Sequence, residues 1–83
     1  MMHRLKIKAN YYARLIEGTK KAEIRLNDRD YQRSDCIVFT DLKEIEREGI
    51  FEITHIHSGL GLEDGYICLS LCDLSEEESE AKK

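Results

Sequence analysis

The segment GTKKAEIRLNDRDY, residues 18–31, gathers the side chains of this chain best suited to chemistry: Lys20, Glu23, Arg25, Asn27, Asp28, Arg29, Asp30 and Tyr31. Lysine and arginine bind phosphate or a developing oxyanion, and a carboxylate takes a proton from water or accepts a hydrogen bond from a base edge. An amide also reads a base edge, and a phenol ring offers a stacking surface. Two chemistries therefore suit the same residues, anion or nucleotide binding and hydrolysis. A third reading is that the charges only neutralise one another, Glu23 with Lys20 or Arg25, and Asp28 and Asp30 with Arg29. Exposed ion pairs contribute about 0–1 kcal/mol each, so stability alone is a poor reason to collect so many.

Around this segment the periodicity defines the elements that must position it. In His3–Lys8 the alternation sets Leu5 and Ile7 opposite Arg4, Lys6 and Lys8, which predicts a half-buried strand. Asn10 is read as a helix N-cap, and Tyr11, Tyr12, Leu15 and Ile16 follow at helical spacing. The two tyrosines are read as core packing. Gly18 suits the left-handed residue that ends a helix. Alternation resumes over Lys21–Leu26, with Ala22, Ile24 and Leu26 facing one way and Glu23 and Arg25 the other. Lys20 can join Glu23 only from the turn before that strand.

Residues 27–35 carry turn chemistry, and Cys36–Thr40 reads as a buried strand. Residues 41–49 read as a charged hairpin connection in which Leu42 and Ile45 permit a helical turn. Strands are predicted over Ile50–His57 and Gly65–Cys72, separated by a loop containing Gly59 and Gly61. His55 and His57 are read as residues of one sheet face with their ring nitrogens bonded or solvated. The order β-α-β-β-β-β predicts one α+β domain over residues 1–73. Its architecture is a small mixed or antiparallel β-barrel with one or two short helices, in which closure removes exposed edges. Residues 74–83 are read as an acidic, disordered tail.

Composition limits the function classes. A chain of 83 residues has room for one small core. No apolar run approaches the roughly 18 residues of a membrane span, and the start MMHRLKIKAN lacks the apolar region of a signal peptide, so a cytoplasmic protein away from the membrane is expected. Cys36, Cys68 and Cys72 lie in strand-like runs and are read as reduced thiols; with no Cys-x-x-Cys pair, no metal and no cofactor are expected. The net charge of −4 hides an asymmetry. Residues 1–33 hold nine Lys or Arg against four Asp or Glu, a balance of +5, and residues 34–83 hold four against thirteen, a balance of −9. A polyanion-facing first part and an acidic remainder are implied.

The run Gly18-x-Lys20-x-x-Glu23-x-Arg25 resembles the GxKxxExR signature of the ASCH domain family, within the PUA-like superfamily. His3-x-Leu5-Lys6-Ile7, Asn27-Asp28-Arg29-Asp30-Tyr31 and Gly61-Leu62-Glu63-Asp64-Gly65-Tyr66 are similar to its short, uncharacterised bacterial and phage members, so the resemblance covers roughly residues 3–72. One departure concerns Ser34, where members often carry glycine before the aspartate entering the third strand. The resemblance implies a PUA-like β-barrel whose cleft binds RNA or a modified nucleotide. Lys20, Glu23, Arg25, Asn27, Arg29, Tyr31, Tyr66 and His3 are the residues expected to serve it.

Some ASCH proteins are amidohydrolases of N4-acetylcytidine, with a lysine, a threonine and a later glutamate. That alternative would use Lys20, Glu23 and Glu63 here. Glu23 stands at the threonine position, and a carboxylate cannot repeat a hydroxyl-nucleophile mechanism. Thr19 is the nearest hydroxyl in the motif. A protein–protein adaptor acting through the acidic tail is the third reading.

Overall fold

The structure, a computed structural model, describes residues 1–41 and 46–74. Its elements are β1 (Met2–Lys6), α1 (Ala9–Glu17), β2 (Ala22–Leu26), β3 (Cys36–Thr40), β4 (Glu46–Ser58) and β5 (Tyr66–Asp73), the order the periodicity predicts. The helical turn read at Leu42 and Ile45, and the tail beyond Leu74, lie outside the described residues.

The strands form one mixed sheet in the order β1-β3-β4-β5-β2. Among the described residues only the β1–β3 pairing is parallel. The sheet curls into a half-barrel around its core, with β1 and β2 as its two edges. Closure by a continuous ladder, expected from the sequence, does not occur. The seam is bridged instead by side chains: Arg25 Nη2 donates to the Lys6 carbonyl at 2.6 Å, and Arg29 Nη1 to the Arg4 carbonyl at 3.2 Å. Backbone groups of alternate residues point to the same side of a strand, so Arg4 and Lys6 both present carbonyls along the unpaired side of β1.

The core is built from alternate strand positions. His3, Leu5 and Ile7 come from the first strand and its exit, Ile37 and Phe39 from β3, Phe51 and Ile53 from β4, and Ile67 and Leu69 from β5, all buried. From α1, Leu15 is buried, and Tyr12 packs edge-on against Phe39 and Phe51 with ring centroids 6.2 and 6.3 Å away. Burying a Leu, Ile or Phe side chain contributes roughly 1.5–3 kcal/mol, so this cluster dominates the stability of so small a domain.

The helix begins earlier than its sequence suggests. Lys8, extended at φ −68° and ψ 141°, occupies the N-cap with no side-chain hydrogen bond, and Asn10 lies inside the helix. Its end is as predicted: Gly18 is left-handed at φ 85°, and the amides of Gly18, Thr19 and Lys20 bond back to the Leu15 and Arg14 carbonyls. A left-handed backbone costs a side-chain-bearing residue roughly 1–2 kcal/mol, which glycine avoids. Ser34, where family resemblance would favour glycine, takes φ 75° regardless.

Two strands depart from simple alternation. In β2 the charged residues face inward: Glu23 is paired with Leu69 and Arg25 with Ile67, both core residues, whereas Ile24 and Leu26 face outward opposite Cys68 and Tyr66. In β4 a bulge between Ile53 and His55 shifts the register, so Ile53 opposes Leu71 and Ile56 opposes Leu69. The extra residue lets both isoleucines reach the inner face and turns His55 and His57 to the outer one.

Candidate ligand-binding cleft

Where the two sheet edges approach, a cleft of ≈ 310 Å³ opens. Lys6, Ile7 and Lys8 form one side, Glu23, Ile24, Arg25 and Leu26 the other, with Tyr11 of α1 and Tyr66 of β5 completing it. Each wall has a local cause. The strand pleat sends Ile7 into the core and leaves Lys6 and Lys8 at the rim, both exposed. The glycine-ended helix returns the chain beside its own last turn, which brings Lys20 to the mouth of β2.

Glu23 is the organising charge. Its side chain is 10% exposed, with Oε1 3.0 Å from Lys20 Nζ and Oε2 3.2 Å from Arg25 Nε. A buried carboxylate is costly unless paired, and two cations on its two oxygens meet that demand. Lys20 sits outside β2, so the turn delivers it to Glu23 as the sequence requires. Arg25 is more than a charge at this site. Its Nε holds Glu23, its Nη2 holds β1, and its guanidinium carbon lies 5.9 Å from the Phe39 ring centroid, so one residue ties core, carboxylate and seam together.

Tyr11, read from the sequence as core packing, lines the cleft instead and is 39% exposed. Helical geometry turns Tyr12 and Leu15 inward and leaves the residue before Tyr12 on the flank. Two ammonium groups approach its ring, Lys8 Nζ at 5.7 Å and Lys20 Nζ at 5.6 Å from the centroid. A ring between two cations combines a stacking surface with attraction for an anion. Sequence reasoning missed this tyrosine and Lys6 and Lys8. The available signal was the run of cations on the polar side of β1, Arg4 and Lys6, continuing to Lys8 at the helix N-cap.

The remaining predicted residues have different placements. Tyr66 lines the cleft, partly exposed. Asn27 is exposed after β2 and its amide bonds to the Gly65 carbonyl. Arg29 is exposed and spends one donor on the seam. Tyr31 is buried, its ring centroid 4.7 Å from that of His3, so neither face of the phenol is presented to solvent for stacking. Burial pushes its hydroxyl up from the ordinary phenol value; the Arg25 and Arg29 charges counter this, and Asp28 adds to it. Glu63 is exposed in the β4–β5 loop and does not line the cleft.

His3 also lies away from the cleft, in a buried polar knot. Its Nε2 is 2.8 Å from Asp35 Oδ2, and the same carboxylate takes the Gln32 amide at 3.1 Å and the terminal ammonium of Met1 at 3.1 Å. The His3 hydrogen bond, with those of the terminal ammonium and Gln32, holds the Asp35 carboxyl down at about 2, against the opposing effect of burial. This knot pins β1 to the turn before β3. Elsewhere, His57 Nε2 is 3.0 Å from the Leu60 carbonyl, and the three cysteines are free thiols. Among the described residues no three of His, Cys, Asp and Glu gather to hold a metal ion, and no helix is long and apolar enough to cross a membrane.

A family model described as a domain of unknown function, DUF3850, matches residues 2–71. The chain belongs to the DUF3850 family. The match takes in every wall of the cleft and the Glu23 ion pairs. This DUF3850 chain is also similar to an uncharacterised 12.9 kDa protein in the GpA 3′ region of Escherichia phage P2, at 40% identity over 37 residues. That stretch is 45% of this chain and 34% of the phage protein, so about a third of the relative's length is spanned.

Proposed function

We propose that this DUF3850 protein is a non-enzymatic module of the ASCH, PUA-like type that binds RNA or a nucleotide-like ligand in the cleft between β1 and β2. The observation that carries the reading is the meeting in one small cleft of Lys6, Lys8 and Arg25 with the exposed rings of Tyr11 and Tyr66, around the Lys20-paired carboxylate of Glu23. Cations serve phosphate, the rings serve a base, and Glu23 supplies an acceptor for a base edge. At ≈ 310 Å³ the cleft is at the small end for a ligand site and suits one splayed nucleotide rather than a duplex.

Binding is favoured over hydrolysis by how the groups are committed. Both Glu23 oxygens meet cations, which disfavours its use as a base. Thr19 Oγ1 lies 3.2 Å from Glu17 and 3.3 Å from the Arg14 carbonyl, engaged with its own helix end. With Glu63 outside the cleft, no nucleophile, base and oxyanion donor are assembled there among the described residues.

The test is fluorescence anisotropy with a short single-stranded oligouridylate. A double substitution Lys8→Ala and Tyr11→Ala is expected to weaken binding about ten-fold or more, since stacking alone contributes about 1–3 kcal/mol per base. The melting temperature should stay within a degree or two, because both side chains are exposed. Unchanged affinity would overturn the proposal.

A further inference from the structure

The cleft holds one buried acceptor that phosphate binding alone does not use. Glu23 lines it with a side chain only 10% exposed. A carboxylate is acceptor-only, with about four lone-pair sites on its two oxygens. Lys20 Nζ meets Oε1 at 3.0 Å and Arg25 Nε meets Oε2 at 3.2 Å, so among the described residues one site on each oxygen stays open. Two cations against one carboxylate leave this trio with a net charge of +1, which lets an anionic ligand approach Glu23. Beside it, Arg25 commits Nε to Glu23 and Nη2 to the Lys6 carbonyl, whereas its Nη1 has no acceptor among the described residues. Glu23 and Arg25 therefore offer twin acceptors next to a donor, held in place before any ligand arrives by the ion pairs and the bridge to β1.

We propose that the base this cleft selects is guanine, its Watson–Crick edge read by Glu23 and Arg25. The inference rests on the reading of the cleft as a nucleotide site. Guanine places two donors side by side, N1–H and the N2 amino group, with the O6 acceptor next to them, and the twin acceptors of Glu23 and the Nη1 donor of Arg25 match that set. The other bases do not match. Adenine and cytosine set a ring-nitrogen lone pair beside the amino group, and uracil flanks its N3–H with two carbonyl oxygens, so each turns an acceptor toward the carboxylate. Ile7, Ile24 and Leu26 also line the cleft, and apolar surroundings strengthen a paired hydrogen bond and penalise an unpaired one. Tyr11 and Tyr66 add stacking that is tolerant of base identity, so the choice falls to Glu23 and Arg25. The edge is free to be read only in a single strand or a free nucleotide.

The experiment compares, by fluorescence anisotropy, pentauridylate with four relatives whose central base is guanine, hypoxanthine, 7-deazaguanine or adenine. Guanine should bind about ten-fold tighter than uracil or adenine, in the range of a two-point base contact. Hypoxanthine, which lacks only the N2 amino group, should lose about three- to five-fold against guanine. The 7-deaza base keeps the whole edge and should match guanine. In Glu23→Gln, measured where its amide spectrum shows a folded chain, the guanine-to-hypoxanthine ratio should fall to near one. The base replacements test the parent chain alone, so they decide the matter even where that variant does not fold. Equal affinity for guanine, hypoxanthine and adenine overturns the proposal and leaves the RNA reading standing on charge and stacking. Loss of the gain with 7-deazaguanine overturns it too, because a different edge would then be in contact, and so does a ratio that survives Glu23→Gln. Binding of none of the five at low salt sinks the RNA reading together with the guanine preference, so the two failures are distinguishable.

Discussion

Glu23 decides the character of the cleft, because an inward carboxylate on a sheet edge is tolerable only while both its oxygens are held. Glu23→Gln keeps the shape but weakens both charge-assisted bonds, leaving the Lys20 ammonium and the Arg25 guanidinium less well matched. A loss of about 1–3 kcal/mol is expected in urea unfolding, more than a surface substitution costs. A loss below about 0.5 kcal/mol would mean that the pairs are solvent-screened and that Glu23 does not organise the site.

Asp35 makes a different test, through pH. Its carboxyl is held near 2 in the folded chain, below its ordinary value of 3.8, by the hydrogen bonds of His3, the terminal ammonium and Gln32. A depressed carboxylate stabilises the fold at pH above the unfolded value and loses that contribution as pH falls toward the folded one. The melting-temperature difference between the parent chain and Asp35→Asn should therefore be full at pH 6 and shrink between about pH 4 and pH 2. A difference independent of pH across that window would contradict the assigned hydrogen bonds.

Among the elements, α1 and β4 depend on one close approach. The Gly49 amide donates to the Tyr12 hydroxyl at 3.0 Å, and a Cβ on Gly49 would stand 2.7 Å from that oxygen and 3.3 Å from Phe51. Tyr12→Phe removes the acceptor and should cost about 1–3 kcal/mol by leaving a part-buried amide unpaired. Gly49→Ala should also destabilise, since Tyr12 would have to leave its packing against Phe39 and Phe51. Equilibrium unfolding of both variants checks this, and a stabilised Gly49→Ala chain would contradict the helix–sheet contact.

The same elements explain what was legible in the sequence. Alternation located β1 because one of its faces meets the core, apolar runs of high β-propensity located β3 and β5, and Gly18 marked the helix end because only its backbone favours that turn. Alternation also found β2 but not its orientation. Ile24 and Leu26 are the apolar set, yet pairing with Leu69 and Ile67 turns Glu23 and Arg25 inward, an outcome fixed by tertiary register rather than local pattern. The β4 bulge escaped notice for a related reason, since the extra residue is defined only by the partner strand. The buried His3–Tyr31–Asp35 knot joins residues 32 apart in sequence, and no local signal announces it.

At the scale of the molecule, the half-barrel leaves a seam, and the cleft proposed as the ligand site opens along it. An interstrand ladder between β1 and β2 would fill the cleft with backbone; side-chain bridges from Arg25 and Arg29 hold the edges near one another while leaving room between them. The connecting helix contributes Tyr11 to that room, while Lys20 of the charge-rich turn stays outside its lining and acts on it through Glu23 and the Tyr11 ring. The question raised by residues 18–31 thus has a structural answer, in that part of their charge is folded inward to hold two sheet edges at a working distance. If about three cations meet phosphate there, the logarithm of the binding constant should fall against the logarithm of salt with a slope of about −2.

Whether the seam between β1 and β2 takes the proposed ligand is decided by an amide chemical-shift titration of the full chain with a short single-stranded oligouridylate. Saturable shifts concentrated at Lys6, Lys8, Tyr11, Arg25 and Tyr66 are expected. Shifts centred on the outer face around His55 and His57, or none at millimolar ligand and low salt, would contradict that site.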